Sequence, residues 1–246
     1  YYRDDLETTW RGPGNVPPSE KLIDSPYDPD ARYSEKRGQG WVGYKVHLTE
    51  TCEEDLPHLV VQVTTSPAPQ NDNEALATIY ADLAKKHLLP SEHLIDQGYM
   101  NIRQVLVAKT SYAIETVGIP MPDSSWQAKA GQGFDLAHFV IDWEKHIVTC
   151  PEQHISRNWY ESIDSQGQPV FRVEFSAKNC SHCSQRPNCT NGKKGGRKLT
   201  LRPQAEYSAL LHLRQQVHTA TFKDRYRKRA GIEGTISQAV RGGADL

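Results

Sequence analysis

His93-Leu94-Ile95-Asp96-Gln97-Gly98-Tyr99 reads as a short buried strand that runs out onto a carboxylate and turns at once through a glycine. Just upstream, Leu76, Ile79, Tyr80, Leu83 and Ala84 recur at helical spacing across 73–88, with Asn71 or Asp72 as cap and Pro90 as stop. Further back, Trp41-Val42-Gly43-Tyr44-Lys45-Val46-His47-Leu48 alternates, the run from His58 to Thr65 is rich in β-branched residues, and Leu22-Ile23 leads into Asp24. These three stretches read as strands. Downstream, 102–108 reads as a helix and 112–117 as a strand. Strand, strand, strand, helix, strand, helix, strand is the order of an α/β or α+β domain, with one sheet packed by helices.

The chain has 246 residues, 37% hydrophobic and 24% charged, with a formal net charge of −1 and a mean hydropathy of −0.67. That length supports a real core, and the composition excludes disorder and collagen-like repeats. No apolar run approaches the roughly 18 residues of a membrane span, and the start shows no signal-peptide pattern. A cytoplasmic protein with no membrane partner is expected. The Pro- and Gly-bearing stretch 1–20 reads as a linker, and 21–118 as the first part of the main domain. Regularity breaks after Gly118, so 119–203 reads as a Cys-rich insertion. Helical spacing resumes over 204–246, which reads as final helices cut short.

Asp96 at a strand tip sits where ligands collect in open sheets, although a turn-forming Asp before Gly has the same local signature. Tyr226, Arg229 and Glu233, at i, i+3 and i+7, share one helix face. An ordinary solvated helix with one salt bridge accounts for that face equally well. Taken in order, the Asp-bearing strand, the Gly-Tyr-Lys-x-His strand, the third strand, the helix, Asp-Gln-Gly-Tyr, the insertion and Tyr-x2-Arg-x3-Glu resemble the DDE transposases of bacterial insertion sequences. The resemblance runs from about Lys21 to Val240 and points to the subgroup with a cysteine-bearing insertion.

The resemblance implies a ribonuclease H-like mixed sheet packed by helices, in a bacterial polynucleotidyl transferase that cleaves and joins DNA at insertion-sequence ends. It makes Asp96 the second catalytic carboxylate and Glu233 the third. Asp28, in Ser25-Pro26-Tyr27-Asp28, is placed first, with Asp24 and Asp30 as alternatives; Pro26 and Pro29 count against a regular strand there. Tyr226 and Arg229 are expected at DNA. The family's basic residue seven places after the Glu falls on Val240, with Arg241 one place late. Two magnesium ions are expected, because hard carboxylate oxygens hold magnesium and a pair of ions about 3.5–4 Å apart serves in-line displacement at phosphorus. Double-stranded DNA is the implied partner, engaged by a homodimer or larger assembly. His47 is given no role. The runner-up reading is a catalytically inactive DNA-binding remnant of a mobile element.

Cys150, Cys180, Cys183 and Cys189 stand with 29, 2 and 5 residues between them, a spacing with one C-x2-C knuckle that suits structural zinc. His182 could replace one ligand, and an iron–sulfur cluster is the alternative. Between Lys193 and Arg229, eleven Lys and Arg face two acids, a local charge of +9 against −10 for the rest. Lys193, Lys194, Arg197 and Lys198 begin this stretch, which reads as a track for the DNA backbone.

Overall fold

In the first twenty residues, where no apolar period is visible, Tyr2–Asp4 (β1) pairs antiparallel with Glu7–Thr9 (β2). The structure, a computed structural model, describes residues 2–4, 7–9, 12, 14–18 and 21–242. Positions 1, 5, 6, 10, 11, 13, 19 and 20 of the expected linker lie outside the described residues, as do 243–246 of the expected cut end. The chain divides into two compact units, Tyr1–Gly118 with Ala220–Leu246, and Ile119–Thr219.

In the first unit, Arg32–Lys36 (β3), Gln39–Glu50 (β4) and Val60–Pro67 (β5) form an antiparallel sheet in sequence order. Residues 22–24, expected as a strand, are not one. The Asp24 carboxylate instead accepts from the Tyr33 N–H at 2.7 Å and closes the start of β3. A 3-10 turn at Asp72–Glu74 leads into Ala75–Lys85 (α1). Glu92–Leu94 (β6) follows, then Ile102–Tyr112 (α2), then Glu115–Val117 (β7), which pairs parallel with β6. Parallel pairing needs a crossover, and α2 supplies it.

The apolar spacing read from the sequence becomes the core of this unit. Leu76, Ile79, Tyr80 and Leu83 of α1 pack with Ile95, Ala108 and Ile114, and Tyr99 and Met100 lie against them. The chain is thus mixed α/β as expected. The sheet, expected as one, is divided: β6 is only three residues long, pairs with β7 alone, and is ended by the turn after Asp96.

His93 is half-buried beside that core, with Nδ1 3.1 Å from the Tyr80 hydroxyl, and desolvation pulls its pKa down from 6.5 to about 4. The unfolded chain therefore takes up a proton below pH 6.5 that the folded chain refuses until about pH 4. Stability is unaffected above that window and falls as pH drops through it, by on the order of 3 kcal/mol in total. Unfolding midpoints in urea measured from pH 7 to pH 4 are expected to show this decline, and a His93→Gln variant to lose most of it.

The second unit opens with Trp126–Ala130 (α3), followed by a hairpin of Val140–Asp142 (β8) and Ile147–Thr149 (β9). Asn158–Ile163 (β10), Pro169–Glu174 (β11) and Lys198–Leu201 (β12) make an antiparallel sheet. Between β11 and β12 lie two short helices, Ala177–Ser181 (α4) and Arg186–Cys189 (α5), and Gln204–Gln216 (α6) follows. Phe139, Val148, Val173, Phe175, Leu199 and Leu201 form its core, with Trp143, Trp159, Cys150, Cys180 and Cys189 packed against them.

The chain returns to the first unit through Ala220–Arg227 (α7), a 3-10 turn at Lys228–Ala230, and Gly231–Arg241 (α8). Among the described residues no helix is long and apolar enough to cross a membrane.

Candidate active site

Two groups of predicted residues gather, one in each unit. In the first unit, Asp96 caps the 3-10 turn Gln97–Tyr99 at the end of β6, with its side chain 60% exposed. Glu233 lies in the first turn of α8, 65% exposed. Arg229 stands between them at 21% exposure, 2.7 Å from a Glu233 oxygen and 3.9 Å from an Asp96 oxygen. Its guanidinium also lies over the Tyr226 ring at 5.6 Å, and that ring stacks on Phe222. The spacing of Tyr226, Arg229 and Glu233 thus survives the 3-10 turn that joins the two helices, and Arg229 contacts the Tyr226 ring and both acids.

What holds these helices beside Asp96 is a set of ion pairs invisible in the local sequence. Arg225 of α7 bonds Glu92 of β6 and, at 2.8 Å, Glu115 of β7. Lys228 meets Glu54 at 3.1 Å. The Thr235 hydroxyl donates to Glu50 at the end of β4, a carboxylate only 4% exposed, and His58 lies 3.6 Å from its other oxygen.

Asp28 is placed differently. Its carboxylate accepts from the Asp30 and Ala31 N–H groups at 3.1 and 3.2 Å, and both oxygens lie 3.0–3.1 Å from the Tyr44 hydroxyl. It closes a turn ahead of β3, with Asp30 contributing backbone and Asp24 held on Tyr33. Among the described residues no three His, Cys, Asp or Glu side chains stand in a metal-holding arrangement. Asp96 and Glu233 are hard oxygen donors, exposed and adjacent to one cation, so their chemistry fits a divalent ion; a third carboxylate is not drawn up to them.

In the second unit, Cys150, Cys180, Cys183 and Cys189 all line one cavity of about 20 Å³, enough for one water-sized body. Burial raises the Cys189 thiol above its ordinary pKa; Arg197 beside it works the other way, and Cys180, Cys150 and Cys183 push it further up. Backbone N–H groups of His154 and Arg197 point at the Cys150 and Cys180 sulfurs at 3.4 Å. The approach of Arg197 requires Gly196, since a Cβ there would lie 2.0 Å from the Phe175 carbonyl oxygen. His182 is turned to its own helix, with Nδ1 2.9 Å from the Lys178 carbonyl oxygen, and does not line the cavity.

The basic stretch is not one track. Arg197 is turned inward, donating to the Cys189 carbonyl at 2.7 Å, and Lys198 is paired with Glu174 at 2.7 Å. Lys193 and Lys194 are exposed in the loop between Gly192 and Gly195, which Arg186 clamps through both glycine carbonyls. They carry no acid partner among the described residues. Neither a curated protein nor a solved structure matches the chain. Residues 149–244, which include the four cysteines and the Tyr226/Arg229/Glu233 face but not Asp96, match the family model described as Transposase DDE domain.

Proposed function

We propose that the chain is the catalytic region of a DNA transposase with a ribonuclease H-like core, breaking and rejoining phosphodiester bonds at the ends of a mobile element. The observation that carries this is the Arg229 bridge, which brings an acid from a strand tip and an acid from a late helix, remote in sequence, to one guanidinium. Divalent ions bound there would supply electrophilic stabilisation of the charge that develops at phosphorus. The chain's own contribution is to hold two hard carboxylates open to solvent and to offset one of their two charges with Arg229 until an ion takes its place. Asp28 is the proposed first carboxylate of the three, and to serve it must release the Tyr44 hydroxyl.

The four cysteines are proposed to hold a structural zinc that completes the core of the second unit. The donor set suits that ion: the four thiols line one small cavity and two of them already accept backbone N–H bonds, and, since among the described residues they do not stand in a metal-holding arrangement, the ion would have to draw them together. Lys193 and Lys194 are the proposed contacts to the DNA backbone in this unit.

One observation favours the inactive DNA-binding remnant instead: no third carboxylate stands with Asp96 and Glu233 among the described residues. Incubating the chain with supercoiled plasmid in magnesium, and following strand breaks, separates the two readings. Breaks with free 3′-hydroxyl ends that EDTA suppresses are expected; salt-sensitive binding with no breaks in magnesium or manganese would replace the transposase reading by the remnant.

A further inference from the structure

The Asp96 carboxylate accepts no hydrogen bond from the described residues, and its nearest charge partner, Arg229, is 3.9 Å away. Its direction therefore depends on the backbone of the turn that carries it. That turn is short, closed by the Tyr99 N–H on the Asp96 carbonyl at 3.0 Å and the Met100 N–H on the Gln97 carbonyl at 3.1 Å. A single 3-10 turn is weak on its own, having poor hydrogen-bond geometry and few bonds. Something else has to fix it.

Two residues of β4 reach it. Lys45 and His47 are two apart on a strand, so they project from the same face. His47 is only 2% exposed, and its ring joins two hydroxyls: Nε2 lies 2.9 Å from Ser66 Oγ on β5, and Nδ1 lies 2.5 Å from the Tyr99 hydroxyl. The His47 and Tyr99 rings meet edge to face at 5.5 Å. Lys45 donates to the Gln70 carbonyl at 2.7 Å and to Asp72 at 3.1 Å. Asp72 in turn comes close to the turn: a Cβ on Gly98 would lie 2.9 Å from an Asp72 carboxylate oxygen. A larger residue at 98 would have to displace the Asp72 carboxylate from the position in which Lys45 holds it.

We propose that Lys45 and His47 are positioning residues for Asp96: His47 holds the turn by the Tyr99 hydroxyl, and Lys45 holds it through Asp72 against Gly98. This deepens the transposase reading and rests on it for its catalytic meaning. The Gly-Tyr-Lys-Val-His strand and the Asp-Gln-Gly-Tyr turn are then two halves of one device, a strand that reads the turn by its third and fourth residues.

The test is amide hydrogen exchange on the full chain, with Tyr99→Phe, which keeps the ring in the core and removes only the hydroxyl, and with His47→Ala and Gly98→Ala. Protection at the Tyr99 and Met100 amides is expected to fall about tenfold or more, with α1 unchanged within roughly twofold. Unchanged exchange in the turn overturns the proposal; so does an equal loss throughout α1, which would make the pair part of the general fold. In the plasmid assay the same variants are expected to need about tenfold more magnesium for half-maximal cleavage. If the unmodified chain makes no breaks, the transposase reading fails, while the positioning of the turn by Lys45 and His47 is still judged by exchange alone.

Discussion

Replacing Asp96 by Asn or Glu233 by Gln is expected to lower magnesium-dependent strand cleavage by about 10³-fold or more, which corresponds to roughly 4 kcal/mol of transition-state stabilisation. The amides match the acids in shape and remove only the charge. Hard divalent ions hold to carboxylate oxygens, and an amide in their place is a much weaker donor. Both side chains are more than half exposed, so folding is expected to change by no more than about 0.5 kcal/mol, the scale of a surface substitution or of one exposed helix ion pair such as Arg229–Glu233. DNA binding is expected to hold or tighten slightly, because each change removes a negative charge near a polyanion. Cleavage measured beside binding and thermal melting separates these effects. Undiminished cleavage in either variant would remove that residue from the chemistry.

Metal removal is expected to have the largest effect on stability, and to act on the second unit. Its core is small, and three of the four cysteines pack directly against it. Structural zinc in small modules is worth roughly 10–16 kcal/mol of apparent binding energy, which is folding energy when the site is unformed in the unfolded chain. This unit has an apolar core of its own, so only part of that is at stake. A loss of about 3 kcal/mol or more would lower the unfolding midpoint by on the order of 15 °C for a unit of this size. Tryptophan fluorescence, to which Trp143 and Trp159 in that core contribute, is the readout. One zinc per chain is expected, lost in Cys180→Ser and kept on replacing by Ser the fifth cysteine, Cys52, which lies in the first unit and does not line the cavity. A midpoint that does not move on chelation would leave the cysteines as plain core residues.

Some of this was legible in the chain and some was not, for physical reasons. The period of Leu76, Ile79, Tyr80 and Leu83 located α1, because helix burial leaves its spacing in the sequence, and the same logic put Tyr226, Arg229 and Glu233 on one face. Leu22-Ile23-Asp24 reads as a strand from apolar content alone; Pro26 and Pro29 keep the segment irregular, and Asp24 instead caps the start of β3. Arg197 reads as part of a surface track, since charge in a sequence carries no direction, whereas its side chain turns inward to the Cys189 carbonyl. A single histidine on an alternating strand, such as His47, has no signature in sequence. Its partner Tyr99 is 52 residues away, and only folding shows that the two meet. The ion pairs of Arg225 with Glu92 and Glu115 are hidden in the same way.

Asp96 and Glu233 are proposed to form jointly a site for a divalent cation. Titration of the full chain with manganese, with free ion followed by its paramagnetic resonance signal, measures this without requiring turnover. Saturable binding is expected in the unmodified chain, weakened in both Asp96→Asn and Glu233→Gln and displaced by magnesium. Binding of equal strength and stoichiometry in all three proteins would contradict it.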